Sequence, residues 1–252
     1  MRVVLLCILL LMNGPATAQP GVQAAYEAGD WAMAQGLAAT ASDAFSKTLA
    51  AEAALAPLML GEMAEADRGE KRERARAAAD LAQEALDINP DYSRAYLAYA
   101  AALGYQGRYS NPLSAMLARL PQRSHTQMER ALALDPANPW ANALLAAWHL
   151  EVVRRAGEGM FGADSETGLE RYRIAARLSD TPDIPYHFAL ALLARDADMH
   201  GDEAIEQLRA AVAMETENAL EAGMHELAQS LLDIAETSRS AAADEAVRRL
   251  ES

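Results

Sequence analysis

The chain has 252 residues and carries 22 basic against 36 acidic side chains, a net charge of -14. An acid excess of this size is repelled by nucleic-acid phosphates and anionic headgroups wherever basic residues do not cluster, which disfavours wholesale nucleic-acid binding. Hydrophobic residues make up 52% but aromatics only 6%, with seven Val and six Ile; the apolar fraction is Ala and Leu, which favours helices and leaves too little material for a large β-sheet.

Residues 1–18 read as a secretory signal peptide: Arg2, a continuous apolar run over residues 3–12, a Gly14-Pro15 break, then Ala16-Thr17-Ala18. Ten apolar residues are too few to span ~30 Å of hydrocarbon. The expectation is cleavage after Ala18 and a soluble, periplasmic or secreted product with no stable membrane span, forming one domain over residues 19–252. Its lone cysteine, Cys7, lies in the leader, so the remainder has no disulfide, cysteine nucleophile or thiolate metal site.

Helical periodicity places helices near 20–36, 41–60, 70–88, 93–104, 122–134, 139–156, 165–179, 185–197, 202–214 and 218–250, the last broken around 237–240. Within them one junction recurs. Ala85-Leu86-Asp87-Ile88-Asn89-Pro90, Ala131-Leu132-Ala133-Leu134-Asp135-Pro136 and Arg177-Leu178-Ser179-Asp180-Thr181-Pro182 set prolines 46 residues apart, twice. Each proline stops a helix, and an aromatic opens the next: Tyr92 and Tyr96, then Trp140, then Tyr186 and Phe188.

These junctions, with the run Gly201-Asp202-Glu203-Ala204 to Ala211-Val212 and the turn Gly29-Asp30-Trp31, resemble the tetratricopeptide repeat family, most closely over residues 81–216. The resemblance implies an all-α fold, a superhelical array of antiparallel helical hairpins. The usual unit is about 34 residues, so roughly a dozen extra residues enter each 46-residue unit. With the proline junctions aligned, they must fall between its two helices, at 104–122 and 157–165, and emerge on one side of the array.

No string supports chemistry. Gly157-Glu158-Gly159-Met160-Phe161-Gly162 fits G-x-G-x-x-G but follows a helix rather than a strand, which makes it a loop. The turn Asp196 to Asp202 resembles a calcium loop yet puts Gln207 where a bidentate carboxylate belongs. The five histidines form no H-E-x-x-H, and no G-x-S-x-G or Walker string is present. The expectation is a binding protein and not an enzyme, with no cofactor and no metal.

Charge is distributed unevenly. No acidic residue occurs from Tyr92 to Met128, where Arg94, Arg108, Arg119 and Arg123 alternate with Tyr96, Tyr99, Tyr105 and Tyr109; from Asp196 to Glu236 eleven carboxylates face only Arg209. One reading is a basic, tyrosine-lined patch for an acidic peptide or anionic small molecule; the other is tyrosines that pack between helices with arginines lying over them. The resemblance implies a concave groove lined by the first helix of each unit. Together these point to Arg94, Tyr105, Arg108, Trp140, His149, Arg154 and Tyr186 as residues that contact a partner. The function expected is a periplasmic scaffold that binds a protein or peptide in its groove; the alternative is a carrier of a small molecule or lipid.

Overall fold

A computed structural model describes residues 19–251. The leader reading at 1–18 lies outside them. Twelve helices are described and no strand: α1 Pro20–Glu27, α2 Trp31–Ala38, α3 Ala44–Met59, α4 Arg68–Ile88, α5 Ser93–Tyr109, α6 Pro112–Leu117, α7 Leu120–Leu134, α8 Pro139–Ala156, α9 Ser165–Leu178, α10 Asp183–Ala213, α11 Ala219–Thr237 and α12 Arg239–Glu251.

Local chemistry sets most starts. Asp30, Asp43, Asp67, Asn111, Asn138, Asp164 and Asn218 each accept a backbone N–H from the first turn of the helix they precede, satisfying donors that would otherwise have no partner. The recurring prolines act as expected: α4, α7 and α9 end within a few residues of Pro90, Pro136 and Pro182.

Three boundaries differ from the periodicity. The 20–36 stretch is two helices, because Gly29 takes a positive φ of 77° and Asp30 caps a new start. Helix α5 runs on to Tyr109, so the first insertion is the end of α5 plus the short α6. The expected pair 185–197 and 202–214 is one element kinked at Asp196 (φ -166°, ψ 98°), whose carboxylate accepts the Met199 N–H at 2.9 Å.

Successive helices pack as antiparallel hairpins, α3 on α4, α4 on α5, α5 on α7, α7 on α8, α8 on α9 and α10 on α11, and α3, α5, α8 and α10 also touch in sequence. The fold is all-α, an α-solenoid-like stack. Fully covered alanines, among them Ala50, Ala53, Ala78, Ala100, Ala146 and Ala204, stand where helices cross; a methyl there lets backbones approach while Phe188, Leu193, Leu208 and Leu231 fill the space between. Each such large side chain contributes about 1.5–3 kcal/mol through burial.

The two ends of the stack meet. Helix α1 touches α11, Gly29 lies so near Ala219 that a Cβ would be 2.8 Å from the alanine methyl, and a Cβ on Gly223 would be 2.6 Å from Leu60 Cδ2. One core runs from Val22 and Tyr26 through Ala50, Ala146 and Phe188 to Met224 and Ala246. The array is therefore drawn together at its ends rather than left as an open arc, and no helix among the described residues is long and apolar enough to cross a membrane.

Candidate interaction site

The last turn of α5 places Tyr105, Arg108 and Tyr109 on one face by their spacing of three and four residues. Arg108 lies over the Tyr105 ring at 5.0 Å, and the Tyr105 and Tyr109 rings stack at 6.2 Å with 20° between planes. From α4, Arg68 donates to the Arg108 carbonyl at 2.7 Å and Lys71 sits 5.6 Å above the Tyr109 ring.

The last turns of α8 supply Glu151, Arg154 and Arg155. Arg154 holds both Glu151 oxygens at 2.9 and 3.0 Å, and Arg155 pairs with the same carboxylate. Burial pushes the Glu151 carboxyl up, but the Arg154 hydrogen bond and the charges of Arg108, Arg155 and Arg154 outweigh it and hold it below its usual range.

Other helices complete the cluster. Tyr172 of α9 stacks on Phe188 at 5.0 Å. Tyr186 of α10 accepts from Arg249 of α12 at 3.2 Å, and Arg249 also reaches the Leu227 carbonyl at 2.8 Å. His187 is pushed down to about 4 by burial and by Arg108, and Tyr105 up to about 12 by burial against the lowering pull of Arg108. Burial likewise raises Tyr172 and Tyr109 while Arg108 opposes it. One guanidinium thus acts on side chains from α5, α8, α9 and α10. Arg108 makes no ion pair among the described residues.

Of the residues picked out by sequence, Tyr105, Arg108, Arg154 and Tyr186 belong to this cluster. Tyr186, however, is only 2% exposed, so it supports the site from beneath instead of presenting a surface. Arg94 is elsewhere: its guanidinium grips Glu52 of α3 at 2.7 and 2.6 Å and lies 5.7 Å over Phe45. Trp140 is half-buried among Leu97, Ala131 and Ala141. His149 is buried; its Nδ1 accepts the Asp164 N–H at 3.0 Å, and it packs with Trp148 and His125 at 5.1 and 6.3 Å, which pins the 157–164 loop to α8. Burial and the neighbouring His125 hold its pKa below the usual value, keeping that acceptor nitrogen free of a proton. Sequence reasoning missed Tyr172, His187 and Arg249, which reach the cluster from helices distant in sequence.

The remaining motifs have structural duties. The 157–162 loop follows α8 with a 3-10 turn at Met160–Gly162 and three glycines at positive φ, which makes it a loop rather than a phosphate cradle. In the acidic turn Asp196 caps the second arm of α10 and Asp202 pairs with Arg239. Among the described residues no three His, Cys, Asp or Glu are grouped to hold a metal ion.

No curated protein matches the chain. A family model described as regulator of microtubule dynamics protein 1-3 matches residues 23–236, from α1 to the end of α11. A match over that much of a 252-residue chain makes it a member of the family of regulators of microtubule dynamics proteins 1-3.

Proposed function

We propose that the protein is a non-catalytic, tetratricopeptide-like scaffold, exported on the strength of its leader sequence, that captures an acidic stretch of a partner polypeptide at the Arg108 cluster. The observation that carries this reading is the state of Arg108. It is held over Tyr105, it acts on four other titratable side chains, and it makes no direct ion pair among the described residues, since the Glu151 carboxylate on which its charge acts is bonded by Arg154 and Arg155. A fixed guanidinium beside tyrosine hydroxyls is a receptor for a carboxylate, with donor geometry that a flexible lysine lacks. Arginine and tyrosine are also the side chains on which partner affinity most often concentrates. The family description names an effect on microtubules; for this chain it supports a role exercised through contacts with other proteins rather than through turnover.

Affinity isolation of the native protein and an Arg108→Gln variant from the same exported fraction tests the reading. A defined polypeptide retained by the native chain and lost at least tenfold in the variant, with unchanged helicity, is the expected result. Equal retention removes the site. A bound molecule of a few hundred daltons in native mass spectrometry, with no polypeptide, decides for the carrier.

A further inference from the structure

The outer side of the stack carries a second feature that the Arg108 cluster does not use. Helices α4 and α7 stand apart over α5, and α6 closes one end of the gap. The result is an open trough of about 530 Å³, with Tyr99, Leu103 and Gln106 on its floor, Arg72 and Arg76 on one rim, and Arg123 on the other. That volume suits a few side chains of a peptide or one small ligand. Arg72 and Arg76 are one helical turn apart and both exposed, and they form no ion pair among the described residues. Arg123 donates to the Tyr99 hydroxyl at 2.8 Å, which fixes it at the rim. Glu73 and Asp80 stand on the same wall and still leave the two α4 arginines unpaired. Beyond the closed end, α6 holds Leu113, Met116 and Leu117 out at 63, 54 and 76% exposure.

We infer that this trough is a docking site for a segment of a partner polypeptide in which carboxylates alternate with large aliphatic residues. The carboxylates meet the three guanidiniums, with Ser110, Ser114 and Gln106 as polar neighbours along the wall and floor, and the aliphatic side chains cover the exposed face of α6. Charge complementarity sets the class of ligand. Three arginines outnumber the two carboxylates, Glu73 and Asp80, that line the trough, and each rim arginine offers a planar pair of donors to a carboxylate. The site is built on the outer face by α4, α5, α6 and α7, and so is independent of Arg108 on the α5 turn.

Fluorescence anisotropy with a labelled synthetic peptide of alternating Glu and Leu, against the same peptide with Lys for Glu, tests the inference on the full chain. Binding of the acidic peptide alone is expected, weakening about tenfold or more between low and physiological salt. Arg72→Glu with Arg76→Glu should abolish it and Leu113→Ser with Leu117→Ser should weaken it severalfold, whereas Arg130→Glu on the exposed face of α7 should leave it intact. Absence of binding to the acidic peptide, or binding indifferent to Arg72 and Arg76, overturns the inference. Co-sedimentation with anionic phospholipid vesicles that is lost in the same variants, without peptide binding, also overturns it and assigns the surface to membranes instead. Loss of the acidic peptide in Arg108→Gln would place its site at the inner cluster and likewise end the trough reading.

Discussion

The meeting of the two ends of the stack can be tested with a single methyl group placed at two glycines. Gly29 and Gly61 both lie in turns at positive φ, 77° and 72°, but a Cβ on Gly61 meets nothing within 4 Å, whereas one on Gly29 falls 2.8 Å from the Ala219 methyl. Alanine at either site takes on the left-handed conformation at a cost of about 1–2 kcal/mol, partly offset by about 0.4–1 kcal/mol from a less disordered unfolded chain. Only Gly29→Ala also forces two elements apart, an overpacking term of about 1–3 kcal/mol. The expected gap between the variants is that overpacking term, roughly 2–12 °C in Tm for a chain of this length, taking about 2–4 °C per kcal/mol. Urea titration followed by helical circular dichroism measures it, with unchanged slopes showing that the unfolded state is not the cause. Adding Ala219→Gly to Gly29→Ala removes the colliding methyl and should bring the midpoint back toward that of Gly61→Ala, less about 1 kcal/mol for glycine in the first turn of α11. Equal midpoints for Gly29→Ala and Gly61→Ala, or no recovery in the double variant, would refute the contact between α1 and α11.

Two titrations oppose each other across the acid range. Asp183, buried with its Oδ1 unpartnered among the described residues, is pushed up to about 6 by burial, so the stability it confers when protonated is full below about pH 4 and is lost as pH rises through 6. His187, pushed down to about 4, confers stability that is present above about pH 6.5 and is lost as pH falls through 4. Each shift corresponds to about 3 kcal/mol, so the native chain should show a nearly flat stability between pH 4 and 6.5, Asp183→Asn a stability that rises with pH, and His187→Gln one that falls; parallel curves for the two variants would contradict both assignments. Arg94→Ala should destabilise by about 2–3 kcal/mol, since it strands the largely covered Glu52 carboxylate, and Arg94→Ala with Glu52→Ala should recover much of that in thermal unfolding. Partner capture should survive in the double variant, in contrast to Arg108→Gln.

The fold was legible because its signals are local. Pro90, Pro136 and Pro182 stop helices whatever lies around them, and an aromatic opens each helix that follows, so the stack of hairpins follows from short stretches of sequence. The closure was not legible, because it rests on Gly29 against Ala219 and Gly223 against Leu60, contacts that span most of the chain. Glycine in a turn and glycine in a helix look the same whether or not another backbone approaches. The site divides along the same line. Tyr105 and Arg108 share one turn of α5, which their spacing alone places side by side; Tyr172, His187 and Arg249 join them only through the packing of α9, α10 and α12. The groove implied by the resemblance includes Arg94 and Tyr186, whose side chains are engaged within the fold. Both sit on first helices as expected, yet Arg94 is committed to Glu52 and Tyr186 is covered by Arg249.

An arginine without an ion pair carries more information here than it would on a basic protein. Carboxylates outnumber cations 36 to 22, and most helices have one within reach of the exposed arginines: Arg173 finds Glu203, Arg209 finds Glu236 and Arg239 finds Asp202, each on another helix or on the far arm of a kinked one. Exposed pairs of this kind are worth little individually, at most about 1 kcal/mol, so stability alone does not require them. Where a guanidinium is instead fixed by something other than a carboxylate, as Arg108 is by the Tyr105 ring and Arg123 by the Tyr99 hydroxyl, it is held in place without a direct ion pair. Both tyrosines belong to α5, whose 92–128 neighbourhood has no acidic residue to compete. That single helix therefore holds a cation of its own, Arg108, and fixes another, Arg123 of α7, through Tyr99, and the entropy of ordering these side chains is settled on folding and not on binding. The acid-free stretch supplies Arg108 and Arg123, the trough drawing its other two arginines from α4, and exchanging Tyr99 or Tyr105 for Leu should weaken capture on its own side alone.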